Sequence, residues 1–238
     1  MAADEEALEL TEAAPDDRTL DRWVARRTTG EPLAWITGTT QFCGNSVCVE
    51  PGVYVPRWQS EPLARKAADL LPDEGTGVDV CTGSGAVALV LAAERPRALV
   101  LATETHPLAV ANARRNGVDV REGNLFDPLP EDLAGAVDVV VAVAPYVPST
   151  ALHLLPRDVL AFEPRGALDG GHDGLDVVSE LVGTSLRWIR RGGWLLLEVG
   201  DDQVEPTSNL LRSSGYDGLS VLTDGDGDRR AVIGRRTD

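Results

Sequence analysis

From position 78 onward, apolar runs and amphipathic stretches alternate along the chain. The apolar runs 78–81, 98–103, 118–121, 137–143 and 194–199 predict strands. The stretches 86–94, 108–116 and 176–189 between them predict helices. Strands apolar on both faces and separated by helices imply a mostly parallel sheet covered on both sides. The last two runs, 218–222 and 231–234, are separated only by the turn 224–228, so they pair antiparallel. Upstream the pattern differs. Residues 4–17 are acidic and alanine-rich, with fraying expected at the start; the spacing of Leu20, Trp23 and Val24 then predicts a short helix closed by Gly30 and Pro32. Residues 33–55 set Trp35, Ile36, Phe42, Val47, Val49, Val53 and Val55 among Gly38, Gly44 and Gly52, the pattern of a β-hairpin. A helix over 60–71 puts Leu63, Ala67 and Leu70 on one face. The expected fold class is α/β: a Rossmann-like doubly wound sheet, mostly parallel with an antiparallel last strand, plus a short N-terminal helix and β-hairpin. The expected division is 1–58 for the N-terminal segment and 59–238 for the main domain.

Composition narrows the partners. With 238 residues and 43% hydrophobic content, the chain can bury one sizeable core. The net charge of −16 repels phosphate backbones, which argues against a nucleic-acid partner. No apolar run reaches the ~20 residues of a membrane span, so no membrane partner is expected. The opening MAADEEALEL lacks the basic start and apolar core of a signal peptide. Cys43, Cys48 and Cys81 have no metal-ligand spacing and read as reduced thiols, so a cytoplasmic location and no metal are expected.

The first strand of the main domain runs into Asp79-Val80-Cys81-Thr82-Gly83-Ser84-Gly85-Ala86 and directly into a helix. Glycines there let the backbone turn sharply and approach a ligand at the carboxyl edge of the sheet. Glu104, ending the second strand, is placed to take ribose hydroxyls. A dinucleotide site is one reading, with Ala88 in place of the third glycine. The polar strand end Asp79 to Gly83 points instead to S-adenosylmethionine, which has no pyrophosphate to cradle. The candidate cofactor residues are Asp79, Thr82, Gly83, Ser84, Gly85 and Glu104.

A longer ordered series of motifs resembles the HemK/PrmC family of protein-(glutamine-N5) methyltransferases. Its landmarks are Gly30-Glu31-Pro32-Leu33, Pro51-Gly52-Val53-Tyr54-Val55-Pro56-Arg57, Asp79 to Ala86 and Gly123-Asn124-Leu125-Phe126. Glu163-Pro164-Arg165, Ala167-Leu168-Asp169-Gly170-Gly171, Asp173-Gly174-Leu175 and Glu198-Val199-Gly200 with Gln203 complete the series. The resemblance implies a class I S-adenosylmethionine-dependent methyltransferase, with Asn124 and Leu125 near the adenine, and an N-terminal segment that helps to shape the acceptor site.

The N-terminal segment is shorter than the resemblance implies, Asn124 stands where the family usually has aspartate, and one motif departs further. Where the family carries Asn-Pro-Pro-Tyr, this chain reads Val143-Ala144-Pro145-Tyr146. The resemblance implies that an asparagine at position 143 would hold the substrate amide. Valine neither donates nor accepts, and an unsatisfied amide costs about 1–3 kcal/mol. Val143, Pro145 and Tyr146, with Phe42, Tyr54, Trp58 and Phe162 nearby in the pattern, therefore favour a small, flat, aromatic or indole-like acceptor, methylated at carbon or nitrogen. A release factor is the alternative partner, and a non-catalytic S-adenosylmethionine-binding protein a further alternative. Methyl transfer needs mainly alignment. Tyr146, Glu198, Val143 and Pro145 are the candidate catalytic residues, Val143 also a candidate cofactor contact, with Glu163 behind them, while His106, His153 and His172 match no motif.

Overall fold

In the computed structural model, which describes residues 3–237, the chain builds a seven-stranded sheet with helices on both faces and a separate two-stranded hairpin. Helices α1 (Ala3–Ala13), α2 (Asp17–Thr28) and α3 (Leu33–Thr37) lead into the hairpin strands β1 (Thr39–Phe42) and β2 (Asn45–Cys48). After α4 (Glu61–Leu70) the alternation begins: β3 (Thr76–Val80), α5 (Ala86–Glu94), β4 (Leu99–Glu104), α6 (Pro107–Arg115), β5 (Val120–Glu122) and β6 (Val137–Ala142). Helices α7 (Arg157–Phe162) and α8 (Asp176–Ser185) precede β7 (Ile189–Glu198), and α9 (Val204–Ser213), β8 (Tyr216–Thr223) and β9 (Arg229–Arg236) follow.

The strand order is β5-β4-β3-β6-β7-β9-β8. Strands β5 to β7 in that row run parallel, and β9 lies antiparallel between β7 and β8. The α/β class and the antiparallel last strand are as expected. Alternation along β6 shows why both faces are covered. Val139 and Val141 join α4, α5 and the hairpin in one core, while Val140 and Ala142 join α8 and α9 in the other. Each such buried aliphatic side chain stabilises the sheet by about 1.5–3 kcal/mol.

Local features differ from the pattern: residues 33–37, expected within the hairpin, form α3, and the hairpin strands cover only Thr39–Phe42 and Asn45–Cys48. Residues 3–13 form the unexpected helix α1, because Leu10 packs with Leu33 and Ile36, and Arg27 pairs with Glu6 at 2.7 Å. A single buried leucine in an acidic stretch leaves no apolar stripe to read. Helix α9 had no apolar signal either, since two of its four inward residues are the hydroxyl side chains Thr207 and Ser208 beside Val204 and Leu211.

Because β3 continues to β4 on one side and β6 lies on the other, the sheet has its switch point between β3 and β6. A crevice opens there at the carboxyl ends of the strands. The turn from β3 into α5 is tied down from beneath. Asp79 Oδ2 accepts from Thr82 Oγ1 at 2.5 Å and from the Ala88 N–H at 3.0 Å. Asn116 Nδ2 donates to the Ser84 carbonyl at 2.8 Å and to that of Cys48 at 2.9 Å, joining the turn to the hairpin. Gly85, at φ 88°, brings α5 against α6 so closely that a Cβ would lie 2.9 Å from Val118 Cγ2 and 3.2 Å from Ala113 Cβ.

Gly85→Ala should therefore cost about 1–3 kcal/mol through left-handed backbone strain alone, measured as a lower urea midpoint. Burial raises the Asp79 pKa to about 7, against the lowering effect of its two hydrogen bonds. Folding then favours the protonated acid: this stability is complete below the unfolded pKa near 4 and is lost as pH rises through 7. Asp79→Asn should flatten the fall in thermal midpoint between pH 4 and 8, removing a pH-dependent contribution on the order of 4 kcal/mol. An unchanged slope would show that Asp79 ionises freely in the folded protein.

Candidate functional site

The turn after β3 enters left-handed backbone at Cys81 (φ 60°) and again at Gly83 (φ 56°). A Cβ on Gly83 would meet nothing within 4 Å, so the chain there fronts open space. The Gly83 N–H donates to Glu104 Oε2 at 3.0 Å. Glu104 Oε1 in turn accepts from the Thr105 and His106 N–H groups at 2.8 and 2.9 Å. The carboxylate is thereby oriented by the amides that begin α6, with Glu104 itself on the cleft wall.

That cleft has a volume of about 290 Å³ and is lined by Gly52, Tyr54, Gly83, Glu104, Val143 and Pro145, among others. Asp79, Thr82, Ser84 and Gly85 do not line it; Thr82 and Ser84 border a smaller recess beside it, and Asp79 lies beneath the turn. Asn124 and Leu125 follow β5 at the same sheet edge, where the Gly123 N–H donates to the Glu104 carbonyl at 2.9 Å. Asn124 is exposed and donates to Glu180 Oε1 at 2.8 Å. Leu125, at φ 42°, is buried, and neither residue lines the cleft.

A second cavity, about 410 Å³, adjoins the first. Tyr54, Arg57, Val143, Tyr146, Glu198 and Arg230 are on its walls. The two spaces share Tyr54, Val143 and Ala167, so they meet at Val143, with Pro145 on the cleft side and Tyr146 on the other. The backbone of this stretch is clamped from behind. Gln203 Nε2 donates to the Tyr146 carbonyl at 2.8 Å and to the Asp173 carbonyl at 3.0 Å, while its Oε1 accepts from the Gly200 N–H at 2.9 Å. A Cβ on Gly170 would stand 2.6 Å from the Pro145 carbonyl oxygen, and one on Gly174 would overlap the Tyr146 carbonyl. The glycines of this loop exist so that the two backbones can touch.

The second cavity contains strongly perturbed groups. Burial raises the pKa of Glu198 more than the neighbouring Ser60, Tyr146 and Arg230 lower it, and its Oε2 has no hydrogen-bond partner among the described residues. Beyond that cavity, in a neighbouring recess, burial also raises Glu163, against the lowering effect of Arg57, which pairs with its Oε1. The Arg57 guanidinium lies 5.1 Å from the centre of the Tyr54 ring. Burial pushes the Tyr54 phenol up to about 12 and raises Tyr146 as well, so both keep their protons at neutral pH. Arg230 is held by Asp224 at 2.7 Å and Asp228 at 2.8 Å. Arg57, Arg230 and Gln203 were not among the expected site residues. Arg57 and Gln203 lay inside recognisable motifs, whereas nothing local to Arg230 signals that β9 delivers it here.

The expected aromatic slot is not formed. Phe42 is in the main core, Trp58 is 54% exposed, and Phe162 packs edge-on against Trp35 with centroids 6.3 Å apart. Only Tyr54 and Tyr146 of that set line the second cavity, beside the charged Arg57, Asp158, Glu198 and Arg230. A flat apolar acceptor would desolvate these charges and offer them no hydrogen bond.

No family model matches the chain. It is 37% identical to a release factor glutamine methyltransferase of Geobacter sulfurreducens, over 89% of this chain and 76% of that protein. It is 39% identical to one of Moorella thermoacetica, over 90% and 78%. With one of Mycolicibacterium smegmatis it shares 41% identity, over 84% and 74%. Among solved structures, a methyltransferase from Pyrococcus furiosus aligns with a TM-score of 0.60 and 18% identity over 90% of this chain and 98% of that one. An rRNA methyltransferase of Thermus thermophilus, with S-adenosylmethionine and guanosine bound, gives 0.56 and 19% over 84% and 44%. These two likenesses concern the fold.

The relatives overturn the small aromatic acceptor and small-molecule partner expected from Val143-Ala144. Two residues outweighed the rest of the chain in that expectation, and the charged cavity agrees with the relatives. S-adenosylmethionine is the cofactor and methyl transfer the activity. The chain belongs to the release factor glutamine methyltransferase family, HemK/PrmC.

Proposed function

We propose that this enzyme methylates the side-chain amide nitrogen of a glutamine in a peptide-chain release factor, acting in the cytoplasm. The observation that carries the reading is sustained identity, 37–41% over 84–90% of the chain, to relatives named for that reaction. The adjoining cavities agree with it: a cleft faced by Glu104 and the open Gly83 turn, and a second, charged space reached past Val143. No helix among the described residues is long and apolar enough to cross a membrane.

S-adenosylmethionine supplies an electrophilic methyl group on a sulfonium, which departs as a neutral thioether. In this reading Glu104 accepts hydrogen bonds from the ribose hydroxyls, and the Gly83 backbone lets the cofactor lie against the turn. Asp79, Thr82, Ser84 and Gly85 hold that turn in shape, and Asn124 and Leu125 stand behind the cleft wall at the same sheet edge, on the adenine side. Val143 and Pro145 border the reaction point, while Tyr54 and Tyr146 confine the glutamine side chain. Residues 1–58 frame the acceptor side, and 59–238 form the methyltransferase domain. Holding the amide nitrogen in line with the methyl group accounts for a share of the barrier on the order of 7–11 kcal/mol.

Incubation with methyl-labelled S-adenosylmethionine and a purified bacterial release factor should place label on a single glutamine, located by peptide mass spectrometry. Release factor that stays unlabelled while the cofactor binds would sink the reading. Glu104→Ala should weaken S-adenosylmethionine binding about 10- to 100-fold in calorimetry, by the loss of one or two charge-assisted hydrogen bonds.

A further inference from the structure

Glutamine methylation poses a proton problem at the nitrogen. A primary amide has two N–H groups, and after gaining a methyl group it must lose one proton. Around the meeting point of the two cavities, the side chains of Val143 and Ala144 accept nothing. The next two backbone carbonyls are turned away. That of Tyr146 receives Gln203 Nε2, and that of Pro145 is pressed against Gly170.

Apart from the Val143 and Ala144 backbone carbonyls, one side-chain acceptor lies beside them. The parallel register sets Ala142 opposite Leu197, which makes Glu198 the lateral neighbour of Val143. Glu198 is 3% exposed and lines the same cavity; Ser60 and Tyr146 are its polar neighbours, and neither closes a hydrogen bond of good geometry on its buried Oε2. Asp158, the other carboxylate on that wall, sits on α7 against Gly30 and spends Oδ1 on the Val159 N–H at 3.1 Å. A buried carboxylate oxygen left unpaired is costly unless a ligand completes it.

We infer that Glu198 accepts an N–H of the substrate amide and takes the proton that the nitrogen releases. This inference rests on the glutamine reading above. The nitrogen lone pair forms the bond to the methyl carbon as the carbon–sulfur bond breaks, its electron pair leaving on the neutral thioether. The surplus proton passes from nitrogen to the Glu198 carboxylate, and the resulting acid later returns it to water. The carboxylate thus does from β7 what position 143 cannot do in this chain. The titratable and charged groups around it are Tyr54, Tyr146 and Arg230; both phenols stay neutral, and Arg230 favours the carboxylate form.

The test uses the full chain with a purified bacterial release factor. In the wild type, kcat should fall as pH drops through a value above the ordinary glutamate range, because only the ionised form takes a proton. Glu198→Gln should lower kcat about 100-fold and abolish that acid limb, with KM for the release factor and S-adenosylmethionine affinity within threefold. Glu198→Ala should regain rate with added formate, which a structural defect would not. A Glu198→Gln enzyme retaining both wild-type kcat and the acid limb would overturn the inference. If that variant fails to fold, a wild-type kcat that is flat from pH 5 to 9 overturns it instead. Wild type that leaves release-factor glutamine unlabelled ends the functional reading itself, an outcome distinct from labelled product with an indifferent Glu198.

Discussion

The Tyr146 carbonyl is the point on which the acceptor side of the molecule hangs. It follows β6 into the crevice, where no neighbouring strand can pair it, and a buried carbonyl without a donor costs about 1–3 kcal/mol. Gln203 supplies the donor from beyond the end of β7, and reaches it only because Gly170 and Gly174 carry no side chains. The same glutamine caps its own turn through the Gly200 N–H. Thus three segments far apart in the chain meet on one oxygen. The wall between the two cavities keeps its shape because that oxygen is satisfied.

What was legible in the sequence follows from how local each cause is. The turn from Asp79 to Ala86 could be read because its hydrogen bonds close within nine residues, and the helix over Ala86–Glu94 begins where the glycines end. The doubly wound sheet could be read because buried parallel strands are apolar on both faces. Helix α9 could not, because hydroxyl side chains fill half of its inward face. Helix α1 could not, because its docking depends on Leu33 and Ile36 after an intervening helix.

The acceptor site shows the converse. Val143 and Ala144 are visible in the sequence and suggest an apolar pocket. The charges that determine its character arrive from elsewhere: Arg57 from before α4, Glu198 from the end of β7 and Arg230 from β9. A four-residue motif describes one wall of a room whose other walls come from distant chain. The motif's departure at position 143 is therefore better read as a change in which wall carries the acceptor than as a change of substrate.

Strand β9 has a consequence for biosynthesis. It lies between β7 and β8, so the sheet stays split until residues 229–236 have left the ribosome. Arg230 comes with that strand, and Ala231 is the residue that pairs with Glu198. A nascent chain can form the cofactor turn early, from contacts close in sequence, but its acceptor chamber is assembled last. The second cavity is thus the last part of the sheet edge to close.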